Sequence, residues 1–301
     1  LGGTSLVGTT RDKENQVTSH RAVDSCATLI IANRKMAIYR ETTSVKVSKM
    51  ETIYYEVHGD GPAVVFAHGM GGNHASWFNQ VPFFSRWFTV ITFDHRGFGN
   101  SGDLEGGADR SRFPDDLKHL FDQLGIAKAI LVAQSMGGGT CASFAVRHPE
   151  KVSALVLADT LVGLTIPDSL CPRMDAVRSA SSGLPQLDRV LSSSFREREP
   201  ALTHLYTQLN SFNGNARGSL KGCLPGISVD QLAASRIPIL FLVGSKDILF
   251  PPDLVKAVHR LIPNSEYREI ADSGHSVYFE KPREFNDAIF KFLKAHRVIA
   301  A

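Results

Sequence analysis

Ser135 stands in Ala133-Gln134-Ser135-Met136-Gly137, where the apolar run from Ala129 to Ala133 must reverse into a helical pattern. A serine hydroxyl becomes a nucleophile when an imidazole takes its proton, and the imidazole works best when a carboxylate orients it. Both partners follow in the chain. Asp247 lies in a loop after the apolar run Ile239 to Val243, and His275 lies in the small-residue segment Asp272-Ser273-Gly274-His275-Ser276. The order serine, aspartate, histidine, with the nucleophile on a strand-to-helix turn, points to acyl transfer. A turn that sharp needs small residues two places before and after the serine, here Ala133 and Gly137. Alanine at the first of these makes the motif by itself less specific, and a serine capping a helix is its plainer reading. The downstream aspartate and histidine favour the nucleophile.

Acyl transfer also needs donors for a developing oxyanion. The run Val64-Val65-Phe66-Ala67-His68-Gly69-Met70-Gly71-Gly72 ends a strand pattern in a glycine-rich turn, and the backbone amides of Met70 and Met136 are the expected oxyanion hole. His68 is read as holding that loop. Asp159, at the end of the run Ala154 to Ala158, is the rival acid. Asp253 reads as a helix cap, Asp272 as a turn former, and Asp94 and Arg96 as members of internal salt bridges. At the Gly69–Gly72 turn neither a phosphate-binding G-x-x-x-x-G-K-[ST] nor a dinucleotide-binding G-x-G-x-x-G pattern is present.

The elements that must carry these residues are legible as short β-rich runs alternating with amphipathic stretches, the pattern of a mostly parallel sheet flanked by helices. Strands are predicted near 52–58, 63–67, 88–93, 129–133, 153–158, 238–243 and 266–270. Five of them have continuous apolar stretches, as strands buried on both faces do. Helices are predicted near 114–124, 136–148, 253–261 and 282–295. Residues 161–232 contain no convincing strand, yet Leu184, Leu187, Leu191, Phe195, Leu202, Leu205, Tyr206 and Leu209 recur at helical spacing, which predicts a helical insertion. Residues 1–35 are polar and lack sustained periodicity, and 1–44 read as a poorly ordered tail, with the core over 45–160 and 233–301.

The 301 residues are 43% hydrophobic and 21% charged, with a net charge of +3. That balance is ordinary for a globular enzyme and too weakly basic to announce a nucleic-acid or anionic-membrane partner. No apolar run approaches the ~18 residues of a membrane span. The four cysteines, Cys26, Cys141, Cys171 and Cys223, are widely separated, which suggests neither a zinc cage nor a disulfide framework. The expectation is a cytoplasmic protein with no metal or cofactor.

His68-Gly69-Met70-Gly71-Gly72 with Trp77, Asp94-His95-Arg96-Gly97-Phe98-Gly99-Asn100-Ser101, Gln134-Ser135-Met136-Gly137-Gly138, Gly244-Ser245-Lys246-Asp247 and Gly274-His275 resemble the α/β-hydrolase superfamily in order and spacing, over residues 50–296. The resemblance implies the α/β-hydrolase fold, with the insertion as a cap over a pocket, and a serine hydrolase using Ser135, Asp247 and His275. Gly69, Trp77, Phe250 and Val277 are expected to line the pocket, with Met70 and Met136 adding apolar surface. The Ser-Met-Gly-Gly run is similar to esterases, enol-lactone hydrolases, haloperoxidase-like perhydrolases and carbon-carbon bond hydrolases. The chain departs from the last group in lacking an asparagine before Ser135 and a tryptophan after His275. Ser135 also argues against branches of the fold that use an aspartate nucleophile. The expected substrates are small to medium apolar esters or lactones. The alternatives are carbon-carbon hydrolysis of ring-fission products and a ligand receptor built on a slow hydrolase.

Overall fold

The computed structural model describes residues 43–48, 51–101, 109–213, 220–224 and 226–298. Among the described residues there are ten strands: β1 Thr43–Ser48, β2 Glu51–His58, β3 Ala63–Ala67, β4 Thr89–Phe93, β5 Ala129–Gln134, β6 Val152–Ala158, β7 Leu164–Thr165, β8 Ile227–Ser228, β9 Ile239–Gly244 and β10 Ser265–Ile270. Eight form one sheet in the order β1-β2-β4-β3-β5-β6-β9-β10. Pairing is antiparallel between β1 and β2 and between β2 and β4, and parallel from β4 through β10. This is the expected α/β-hydrolase fold.

The seven predicted strands all occur, each within one residue of its expected ends. Alternate residues of the central strands serve opposite faces. Val65, Ala67, Leu131, Ala133, Leu155, Leu157, Phe241 and Val243 join one core cluster, and Val64, Phe66, Ile130, Val132, Ala154, Val156, Leu240 and Leu242 join the other. Period-two geometry turns a continuous apolar run into two buried faces. Helices α2 Phe113–Gln123, α3 Met136–Arg147 and α9 Pro252–His259 cover the first face, whereas α1 Val81–Phe84 and α11 Pro282–Ala295 cover the second. α11 opens with a proline in its first turn and buries Phe285, Ile289, Phe292 and Leu293 at helical spacing. Each such buried side chain contributes roughly 1.5–3 kcal/mol.

β1 begins at Thr43, inside the segment read as a tail; the rest of 1–44 lies outside the described residues. It forms an edge strand through backbone pairing with β2; with Val45 and Val47 as its apolar residues, its alternation is too short to stand out. The insertion holds α4 Cys171–Ser182, α5 Gln186–Val190, α6 Ser193–Arg198 and α7 Pro200–Ser211, followed by α8 Val229–Ala234. Contrary to expectation it also contains strand: β7 and β8 pair in parallel, too short a pairing to leave a periodic trace. Among the described residues, no helix is long and apolar enough to cross a membrane.

Candidate active site

The strand order places β4 on one side of β3 and β5 on the other. In an open parallel sheet, the crevice beyond the strand ends at such a reversal is where ligands bind. Ser135 sits there, between β5 and α3, with φ 49° and ψ −117°. Left-handed backbone at a side-chain-bearing residue costs of order 1–3 kcal/mol unless its surroundings hold it. Here the Ser135 N–H donates to the Ala158 carbonyl at 3.1 Å. Its own carbonyl accepts from Thr160 Oγ1 at 2.7 Å and from the Gly138 N–H at 2.8 Å. A Cβ on Gly137 would lie 2.4 Å from the Ala67 carbonyl oxygen, so α3 can approach β3 this closely only with glycine there. Ala133 fits because its methyl is absorbed by the core.

The other two members of the expected relay reach Ser135 from loops after β9 and β10. His275 Nε2 is 2.9 Å from Ser135 Oγ, and His275 Nδ1 is 2.9 Å from Asp247 Oδ2. The second Asp247 oxygen accepts the N–H groups of Leu249 at 2.7 Å and Phe250 at 3.0 Å, so both carboxylate oxygens are fixed. Asp247 and His275 are each 3% exposed, while Ser135 is only half-buried. The arrangement gives the serine an acceptor for its proton and the imidazole a carboxylate on its far nitrogen.

Asp159 does other work. Its carboxylate accepts the Gly244 N–H at 3.0 Å and the Val277 N–H at 3.1 Å, tying the end of β6 to β9 and to α10 (Val277–Glu280). Burial, and then the charge of Asp247, push its carboxyl well above the usual range. Burial likewise raises Glu280.

Near the expected oxyanion donors, the Gly72 N–H closes a turn onto the Gly69 carbonyl at 3.0 Å. A Cβ on Gly69 would lie 3.0 Å from Ser135 Cβ, so this turn abuts Ser135. Met136 heads α3, where first-turn amides lack a helical acceptor. The Met70 side chain is exposed, and that of Met136 is buried with Phe98 and Phe113. His68 holds the loop as expected: its Nδ1–H donates to the Gly69 carbonyl at 2.8 Å, and Nε2 accepts the His95 N–H at 3.0 Å. Burial lowers its pKa to about 4, which suits this neutral tautomer.

Two expected pocket residues are not walls. Trp77 is fully buried, its ring 5.0 Å from that of Phe66 and 4.8 Å from that of Tyr278; the Asn73-capped turn His74–Trp77 rotates it into the core. The Val277 side chain is fully buried in the same cluster, because α10 turns Val277, Tyr278 and Phe279 inward. Phe250, by contrast, lies 5.8 Å from the His275 ring and lines a cavity of about 350 Å³ with Leu161, Val162, Ile166, Met174 and Leu249. A second cavity of about 560 Å³ lies between α4 and the Asp247 loop.

Asp94 and Arg96 do form internal pairs, though not with each other. Asp94 bonds His74 Nδ1 at 2.8 Å, and Arg96 pairs with Asp116. Asp272, at φ 54°, occupies its turn, whereas Asp253 falls in the first turn of α9 rather than at its cap. Sequence reasoning missed His74, Gln134 and Glu280. Gln134 Nε2 donates to the His275 carbonyl at 2.8 Å, a bond spanning 141 positions that no local pattern announces.

This sheet, with Asp247, His275 and Ser135 hydrogen-bonded in line beyond its strand ends, has the architecture of the α/β-hydrolase class. The model of that fold family matches residues 62–282, and the chain belongs to the family; hydrolysis is the activity class that membership supports. It is 30% identical over 262 residues to the sn-1-specific diacylglycerol lipase ABHD11 of Mus musculus, covering 80% of this chain and 84% of that one. A thermophilic esterase from Thermogutta terrifontis is similar in structure, with TM-score 0.69 and 27% identity over 85% of this chain and 97% of that one. The enol-lactonase from Burkholderia xenovorans LB400 shares the fold at TM-score 0.67 and 23% identity, over 84% of this chain and all of that one.

Proposed function

We propose that this protein is a serine hydrolase that cleaves carboxylic esters or lactones of small to medium apolar substrates through an acyl-enzyme. The observation that carries the reading is the continuous hydrogen-bonded line from Asp247 through His275 to a Ser135 held at positive φ. Ser135 Oγ attacks the acyl carbon as its proton passes to His275 Nε2. Asp247 accepts the Nδ1–H, sets the tautomer and stabilises the imidazolium. The tetrahedral oxyanion is received by the amides of Met70 and Met136. On collapse, the leaving alkoxide takes the proton from His275, and the acyl group remains on Ser135. Water then attacks that ester with His275 as base, releasing the acid and restoring the serine. The apolar residues lining the cavity beside Phe250, which also takes in Arg178 and Ser181, support an apolar acyl or alcohol group, and the esterase named among the similar structures supports ester chemistry.

The test combines a fluorophosphonate label, peptide mapping and a panel of p-nitrophenyl esters, lactones and a vinylogous diketone. Ser135→Ala should abolish labelling and lower ester kcat by several orders of magnitude while melting as wild type. Labelling of another serine, with Ser135→Ala still active, sinks the mechanism. A kcat/KM at least about tenfold higher for the diketone than for any ester would replace ester cleavage with carbon-carbon cleavage.

A further inference from the structure

We propose that Glu280 is a positioning residue for His275, its buried carboxylate binding the histidine loop to the insertion so that the imidazole keeps its place only while residues 192–198 stay docked. The proposal rests on the serine-hydrolase reading of Ser135 and His275. Glu280 closes α10 and is 6% exposed. Its Oε1 accepts the Gly274 N–H at 3.0 Å and the Ser192 N–H at 3.1 Å, and its Oε2 accepts Ser192 Oγ–H at 2.6 Å. Gly274 directly precedes His275, so the first bond holds the peptide on which the imidazole is mounted. Ser192 is the N-cap of α6, its Oγ accepting the Phe195 N–H at 3.2 Å, so the other two bonds hold the start of that helix.

The three parts are in direct contact. A Cβ on Gly274 would lie 2.7 Å from Ser192 N and 2.9 Å from Glu280 Oε1, which leaves no room for slack between loop, carboxylate and insertion. Three donors converge on one side chain, and an ionised carboxylate is acceptor-only, so it satisfies them all. The same stretch is tied again at the surface. Ser194 Oγ–H donates to Asp272 Oδ1 at 2.9 Å, Lys246 Nζ donates to Ser194 Oγ at 2.9 Å, and Arg198 reaches Asp272 at 3.3 Å. Residues 192–198 therefore touch the loop of Asp247 through Lys246 and the loop of His275 through Asp272 and Gly274. The surface ties are solvent-exposed and weak; the Glu280 tie is the buried one.

The variants Glu280→Ala, Glu280→Gln and Ser192→Ala separate positioning from bulk stability. Glutamine keeps an acceptor for the two N–H groups and can donate to Ser192 Oγ, so it should rescue what alanine loses. On a p-nitrophenyl ester, Glu280→Ala should lose about 10- to 100-fold in kcat, the scale of a misplaced catalytic group, with KM changed less than about threefold. Ser192→Ala should show the same split, more weakly, and Glu280→Gln should stay within about threefold of wild type. The hydrogen-bonded His275 Nδ1–H proton resonance should shift or broaden in Glu280→Ala and persist in Glu280→Gln. That signal reads the imidazole's placement even if the wild type hydrolyses no ester, in which case the function is refuted and the positioning still judged. If Glu280→Ala does not fold, Ser192→Ala decides: lowered kcat at constant KM, or a shifted imidazole proton where no ester is hydrolysed, supports the proposal. A folded Glu280→Ala with wild-type kcat and imidazole proton overturns it. So does glutamine as damaging as alanine, or Ser192→Ala unchanged in both readouts.

Discussion

Asp159 and Asp247 are buried carboxylates at the ends of neighbouring strands, and their hydrogen-bond partners divide their roles. Asp247 faces imidazole Nδ1, whereas Asp159 holds two backbone amides. Asp247→Asn should therefore lower kcat by about 10⁴-fold, because an amide cannot hold the productive tautomer. Asp159→Asn should cost about 1–3 kcal/mol of stability through a lost acceptor, with kcat within about tenfold. Kinetics and denaturant unfolding of both variants check this, and the reverse kcat ranking would move the acid to β6. His74 offers a pH test. Burial lowers its pKa, but the bond to Asp94 and the charges of Asp94 and Glu56 outweigh that, so the net shift is upward. A raised folded pKa means the folded state binds the proton more tightly. The stabilisation is full below the unfolded value of about 6.5 and lost as pH rises through the folded value. His74→Gln should thus be about 1–3 kcal/mol less stable than wild type near pH 6, with the gap narrowing toward pH 9. A pH-independent gap in urea unfolding would show that the charge on His74 contributes nothing.

Among the elements, the turn from β5 into α3 is tightly constrained. Gly137→Ala sets a methyl against the Ala67 carbonyl, a backbone atom in the central sheet that cannot swing away. Overpacking of this kind costs about 1–3 kcal/mol or more, and here it also displaces Ser135. The expected result is a lower urea midpoint and a large loss of kcat. Gly183, at φ −86° after α4, has open space where its Cβ would go. Gly183→Ala is the control and should be neutral or stabilising by up to about 1 kcal/mol; equal damage from both would discount the steric argument. The insertion shows where element-scale reading stops. Its helical periodicity is real, but Leu191, Phe195 and Tyr206 are buried in the core cluster that holds Phe279, with Leu187, Leu202, Leu205 and Leu209 packed against it. The cavity beside Phe250 draws instead on Leu161, Val162, Ile166 and Met174. A 3.6-residue repeat says that a face is covered, not what covers it.

For the molecule as a whole, the strand order delivers loops from β3, β5, β9 and β10 to one end of the sheet, with the insertion beginning after β6 at that same end. A cavity of about 350 Å³ is at the small end for ligand sites. With p-nitrophenyl esters of increasing acyl length, kcat/KM should peak at short chains and decline beyond about eight carbons. A plateau or rise toward long chains would favour lipid-like substrates. Much of this was legible in the chain alone. Strand positions follow from apolar runs, the turn at Ser135 from its small neighbours, and the order of serine, aspartate and histidine from loop positions, because each depends on backbone geometry or burial over a few residues. Only the assembled sheet decided which of two buried acids meets His275, that Trp77 and Val277 are core, and that Glu280 and Gln134 grip the histidine loop. Those contacts join segments such as Gln134 and His275, 141 positions apart, and hydrogen-bond partners at that separation are chosen by strand order and packing, not by neighbours in sequence.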